Sequence, residues 1–214
     1  SPGGHVASSQ ELYDAIQQFK SQTQKPVVVS IVDYGTSGAY WVSLASDYIV
    51  ANRGSLVGSM GVITQSLDLT QFADEYKVGM TTYKSAQFKD IMNPWRPSTK
   101  RESMIIDRLL ANIHRQFVDV VMAQRKLTRS QAEQLADGRF YTGEQALKAG
   151  LVDELGNLDV AVSHAAKLAG IKGKPHQIHY HDRGFRRFFD SLKSVAPTNV
   201  FSRLFQPTYS VQAR

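Results

Sequence analysis

A serine set between glycines is the first place in this chain where chemistry suggests itself. Gly35-Thr36-Ser37-Gly38-Ala39 follows the valine-rich run 26–32 and precedes a small, apolar run over 39–45. Read as strand, turn and helix, the stretch puts one hydroxyl at an elbow. Glycine tolerates the backbone of a tight turn. The free N–H groups at the start of a helix suit an oxyanion forming on an attacked carbonyl. The plainer reading is that Ser37 caps the helix, and the pentapeptide by itself leaves both open. Pro2-Gly3-Gly4 has the same ambiguity. It reads either as a turn or as a strand end whose bare N–H groups approach a ligand.

A nucleophilic serine needs a base. Histidine is the usual one, yet no histidine offers itself. His114 falls in the middle of a long predicted helix, His164 in another, and His5 in a separate loop. His176, His179 and His181 lie in a basic linker, and their spacing matches no standard metal site. Lysine is the other choice. Its amine is a base only when burial, away from carboxylates, lowers its pKa from about 10.4 toward about 7–8. The run Tyr83–Trp95 supplies Lys84 and Lys89, the latter beside Phe88, Ile91 and Met92. Asp90 is the difficulty, because an ion pair would keep the amine charged, although adjacent side chains on a strand point opposite ways. Taken alone, Lys89 reads as an exposed loop lysine.

The elements that must position these groups follow from periodicity. Apolar residues at Leu12, Ala15, Ile16 and Phe19 predict an amphipathic helix over 9–19. The runs 27–32 and 48–51 read as strands, the first buried on both faces. A helix is expected over 37–45, and a glycine-punctuated segment over 52–63 turns into a strand near Val62. A helix over 69–76, a strand over 80–86 and an irregular loop over 89–98 come next. Thr99 and Glu102 make a capping box for a long helix, and Thr128 and Thr142 cap two shorter ones. Gly150 suits a helix C-terminus, and a last helix closes at Gly170. Strands alternating with helices over short links predict an α/β fold around a mainly parallel sheet.

Composition narrows the function. The chain has 214 residues, enough for one sizeable domain and an arm, and 42% of them are hydrophobic. It has no cysteine, so disulfides, zinc–thiolate sites and cysteine nucleophiles are excluded. Residues 1–171 carry 17 basic and 17 acidic side chains, whereas 172–214 carry 8 and 2, so the whole net charge of +6 sits in the tail. A nucleic-acid binder more often shows a basic face on its folded body, so no nucleic acid is expected. In the tail, Phe185, Phe188, Phe189, Leu192 and Val195 fall on one helical face, and a second apolar patch spans 200–205. These suit a membrane surface or a neighbouring subunit. The division expected is a catalytic domain over 1–171 and a basic linker and amphipathic arm over 172–214.

Five blocks, taken in order, resemble the signal peptide peptidase A family, serine proteases on a fold related to the Clp protease and crotonase superfamily. They are SPGG (1–4), TSGAYW (36–41), GSMGVI (58–63), YKSAQFKD (83–90) and GRFYTGEQALKAGLVDELG (138–156). Thr36 and Ala39 stand where the family's serine motif usually has alanine and glycine. The resemblance implies repeated ββα-type units with a mainly parallel sheet and flanking helices. It implies Ser37 as nucleophile, Lys89 as general base, Ser59 orienting the lysine amine, and the N–H groups of Gly4 and Gly38 as the oxyanion hole. No metal or cofactor is implied. It further implies a homo-oligomer in which each chain completes its own dyad, a membrane-associated enzyme with an extracytoplasmic active site, and remnant signal peptides or other apolar peptides as substrates. An N-terminal anchor and the first strands of the fold are expected upstream of Ser1.

Other readings remain at this stage. An α/β-hydrolase esterase would share the elbow but need an acid and a histidine. A crotonase-type acyl-CoA enzyme would use the oxyanion geometry without a nucleophile. A catalytically silent scaffold would only bind peptides or membrane proteins. A phage capsid-processing protease would belong to the same family.

Overall fold

Short strands form two small sheets in the computed structural model, which describes residues 1–178. The first sheet contains β1 (Val28–Ile31), β3 (Tyr48–Ala51) and β6 (Glu154–Leu155), in the order β1-β3-β6 and parallel throughout. The second contains β2 (Tyr34–Thr36), β4 (Leu56–Gly58) and β5 (Phe140–Thr142). There β2 and β4 run parallel with Thr36 opposite Gly58, while β5 returns antiparallel on β4. The expected α/β class, a mainly parallel sheet flanked by helices, is what forms. Contacts divide the chain into a unit of Ser1–Pro175 and a unit of His176–Arg214. The amphipathic segments expected at 185–195 and 200–205 lie outside the described residues, as do His179 and His181.

Seven helices are described: α1 (Val6–Thr23), α2 (Gly38–Ser43), α3 (Thr70–Tyr76), α4 (Lys100–Arg125), α5 (Arg129–Leu135), α6 (Gly143–Lys148) and α7 (Leu158–Leu168). Their starts follow local side-chain chemistry. Thr99 with Glu102, Thr128 with Gln131 and Thr142 with Gln145 each form a complete capping box, a cap being worth about 1 kcal/mol. Asn157 caps α7 by accepting from Val160 N.

The core lies where α2 and α4 meet the strands. Tyr40, Leu44, Ile49, Val57, Met60, Val121 and Leu151 are buried. The Trp41 and Phe117 rings sit 4.8 Å apart. Tyr40 donates its phenol hydrogen to Leu151 O at 2.7 Å, and burial pushes that phenol well above the ordinary tyrosine range. Arg125 donates to Gly150 O at 2.6 Å and pairs with Asp153, whose carboxylate also accepts from Ile49 N at 2.7 Å. These bonds fix α2, and with it the elbow, against both the sheet and α4.

Two expectations change. The strand expected near Val62 ends at Gly58, and the strand expected over 80–86 does not form. A strand needs a neighbour for its N–H and C=O groups, and among the described residues the segment from 61 to 99 pairs with no sheet, α3 being its only helix. Its apolar side chains face out: Tyr83 is 94% exposed, Ile63 82% and Leu67 73%. Among the described residues no helix is long and apolar enough to cross a membrane.

Candidate active site

Ser37 occupies the junction of β2 and α2 in a backbone conformation that L-residues avoid, φ 52° and ψ −126°. Such a conformation costs about 1–3 kcal/mol and survives only where its surroundings enforce it. Ser37 N donates to Gly58 O at 2.8 Å, continuing the β2–β4 ladder, and Ser37 O accepts from Trp41 N at 3.0 Å. The side chain makes no capping hydrogen bond. The reading of Ser37 as a simple helix cap therefore fails. The residue at the elbow is itself half-buried.

The first residues of the chain lie against this elbow. A Cβ on Gly3, where φ is +105°, would stand 2.8 Å from Gly38 N and from the Ser37 Cβ. A Cβ on Gly38 would stand 2.2 Å from Ser9 Oγ and 3.2 Å from Gly4 N. Bare backbone is thus required on both sides for Gly4 and Gly38 to approach. Neither the Gly4 nor the Gly38 N–H has an acceptor among the described residues. Gly4 and Gly38 thus leave two amide donors unengaged at this corner. Ser9, which sequence reasoning passed over, closes the back of this corner. It is buried and donates to His5 O at 3.0 Å.

Ser59 follows from the register. Thr36 and Gly58 are the last paired residues of β2 and β4, so Ser37 and Ser59 each follow directly on the end of a strand. Ser59 also has positive φ, 48°, and its N–H donates to Arg139 O at 2.9 Å.

Lys89 sits elsewhere in kind. It lies in a turn over 85–92, where its N–H donates to Ala86 O at 3.2 Å, and its side chain is exposed. Among the described residues the side chains of Ser37, Ser59 and Lys89 form no hydrogen bond with one another, and Lys89 forms no ion pair. The Asp90 carboxylate, which threatened to hold the lysine charged, is taken by other cations. It accepts from Lys84 Nζ at 2.7 Å and from Arg96 Nε at 2.9 Å. Arg96, and after it Lys84, hold the Asp90 carboxyl well below the usual carboxylate range. Arg96 also pairs with Glu102, whose carboxyl its hydrogen bonds, with that from Thr99 N, hold down to about 2. Only the capping half of that arrangement was legible in Thr99 and Glu102.

The helical histidines have other work. His114 Nε2 lies 2.6 Å from Ala136 O. His164 stacks on Tyr48 with ring centroids 3.5 Å apart, 3.7 Å from Glu154. His5 follows Gly4 in the chain and leads into α1.

Comparison with known proteins places this geometry. Residues 19–172 match the model of peptidase family S49. A putative protease of Methanocaldococcus jannaschii is 36% identical over 180 residues, which cover 84% of this chain and 57% of that protein. A putative signal peptide peptidase of Enterococcus faecium is 32% identical over 78% of this chain and 48% of its own length. A chloroplastic serine protease of Arabidopsis thaliana is 28% identical over 80% of this chain and 25% of its own. The chain thus spans about half the length of the curated relatives it matches. It belongs to peptidase family S49, the family of signal peptide peptidase A that its five sequence blocks resemble.

Proposed function

We propose that this chain is a serine endopeptidase whose nucleophile is Ser37 and whose general base is Lys89. The observation that carries the reading is the Ser37 elbow, a left-handed backbone with a hydroxyl free of capping duty and two unengaged amide donors, Gly4 and Gly38, beside it. The Arabidopsis relative, a serine protease by name, agrees with it.

In the proposed reaction neutral Lys89 takes the Ser37 proton as Oγ attacks the peptide carbonyl. The Gly4 and Gly38 N–H groups donate to the oxyanion. Collapse breaks the C–N bond, the Lys89 ammonium protonates the leaving amine, and an acyl-enzyme ester remains. Lys89 then deprotonates a water, which hydrolyses the ester and restores Ser37. Ser59 orients the lysine amine.

A lysine in water stays protonated at neutral pH. Lys89 is exposed in the single chain, so its shielding must come from outside it. The apolar side chains of the same excursion, Ile63, Leu67 and Tyr83, supply the reason for a neighbour to cover it. The active form is therefore a homo-oligomer, and assembly both buries the amine and seats it at Ser37. Substrates are extended apolar peptides, signal-peptide remnants among them, added as a strand beside the site. The enzyme works at a membrane, on its extracytoplasmic side, and the basic tail over 172–214 meets anionic lipid or a neighbouring subunit.

The test is hydrolysis of an apolar peptide by Ser37→Ala and Lys89→Ala. Loss in both supports the dyad, and near-normal turnover in either removes it. Histidine replacement separates the esterase. Each of the six histidines, His5, His114, His164, His176, His179 and His181, is dispensable to a lysine-based enzyme, whereas one of them would be essential to a triad.

A further inference from the structure

We propose that Arg96 is a positioning residue that withholds the Asp90 carboxylate from Lys89 and ties the turn bearing the base to the start of α4. The proposal rests on Lys89 being the base. A carboxylate paired with a lysine stabilises the charged amine and disables it as a base, and the sequence places Asp90 next to Lys89. In the structure both Asp90 oxygens are occupied. Oδ1 accepts from Lys84 Nζ at 2.7 Å and Oδ2 from Arg96 Nε at 2.9 Å, while Arg96 Nη2 donates to the Asp90 carbonyl at 3.2 Å.

The other edge of the same guanidinium reaches α4. Arg96 Nη1 donates to Glu102 Oε2 at 3.0 Å and Nη2 to Glu102 Oε1. Glu102 is 2% exposed, and its Oε2 also accepts from Thr99 N at 2.8 Å and from Thr99 Oγ1 at 2.9 Å. One planar fork thus joins the turn to a capping box, a task that a lysine's single ammonium cannot perform. The charged groups around the turn are Lys84, Asp90 and Arg96 from its own segment, and Arg101 and Glu102 from α4. Arg101 lies over the Phe88 ring at 5.1 Å from its centroid. Both carboxylates are engaged, Asp90 by Lys84 and Arg96 and Glu102 by Arg96, and neither pairs with Lys89 among the described residues.

The experiment is the pH dependence of the second-order rate at which an alkyl fluorophosphonate labels Ser37 in the assembled protein. In the unaltered chain the rate rises through the pKa of the base. Arg96→Met frees Oδ2 for Lys89, so the rise moves up by about one pH unit or more, and labelling at pH 7 falls about tenfold. Adding Asp90→Asn to Arg96→Met returns the rise to its original pH. A purely structural role predicts instead a loss equal at every pH, which Asp90→Asn leaves in place, and that result overturns the proposal. If Arg96→Met fails to fold, Asp90→Asn alone decides. It keeps the Arg96–Glu102 pair and is expected to hold the rise at or below its original pH, and an upward shift overturns the proposal. Lys89→Ala in the same assay separates the two levels. Undiminished labelling there removes the base itself. A silent Lys89→Ala beside an unshifted Arg96→Met removes only the role given to Arg96.

Discussion

The region around Ser37 and the region around Lys89 are built in opposite ways. Ser37 is enforced from all sides. A ladder bond to Gly58, the packed glycines 3 and 38, the buried Ser9 and the Tyr40 anchor to Leu151 hold one strained residue in place. Lys89 stands on an excursion that joins no sheet among the described residues and turns Ile63, Leu67 and Tyr83 outward. Around Lys89 it is held by a polar clamp, Lys84–Asp90–Arg96, which reaches Glu102 on α4. On the proposed roles, the nucleophile and its amide donors stand in one folded chain, whereas the base is exposed there. The proposed division of the dyad would keep the chain inactive until it assembles.

The largest effect expected is from the dyad itself. Ser37→Ala or Lys89→Ala should lower peptide turnover by about a thousandfold or more, with unfolding midpoints near that of the unaltered chain. Turnover and thermal melts on the same samples check both halves.

Next comes the surface of the excursion. Tyr83→Asp and Ile63→Asp should weaken assembly by about tenfold or more, buried interface anchors being worth over about 1 kcal/mol. Activity should fall in parallel, while the melting of the Ser37 region is unchanged. Sedimentation velocity and turnover across a dilution series measure the two together. An inactive variant of unchanged assembly state would break the comparison.

The scaffold side is sharpened by Tyr40→Phe, which leaves the buried Leu151 carbonyl without its donor. It should cost about 1–3 kcal/mol of unfolding free energy, read by denaturant titration, and change turnover far less than either dyad variant.

The smallest effect is the acid response of the clamp. Glu102 has its carboxyl held down to about 2 by Arg96 and Thr99. A depressed folded-state pKa gives stability that is full above the unfolded value of 4.5 and fades as pH falls toward the folded one. Protection of the amides at the start of α4, measured against free-peptide exchange rates at the same pH, should therefore fall between about pH 4 and 2, and Glu102→Gln should flatten that dependence.

How much of this was legible depends on how local the cause is. The capping box at Thr99 and the caps at Thr128 and Thr142 are settled within four residues; all three threonines cap as read, and the last two also prove to be capping boxes. The buried runs 28–31 and 48–51 were legible because parallel strands are apolar on both faces. β2, β5 and β6, of two or three residues each, carry no period to detect. The run 80–86 has a strand's side chains but no partner for its backbone among the described residues, which no local pattern can reveal. At the site, the glycines around Ser37 pointed to a turn, but the missing cap bond and the approach of Gly4 to Gly38 depend on packing between segments distant in sequence. Asp90 looked like a threat to Lys89 because its partners, Lys84 and Arg96, lie six residues to either side.

The most direct measurement is mass mapping of the adduct formed when the assembled protein reacts with a fluorophosphonate. The account predicts a single adduct on the peptide containing Ser37, absent in Ser37→Ala and formed far more slowly in Lys89→Ala. An adduct on another residue, or one formed on Ser37 at the same rate without the Lys89 amine, would contradict it.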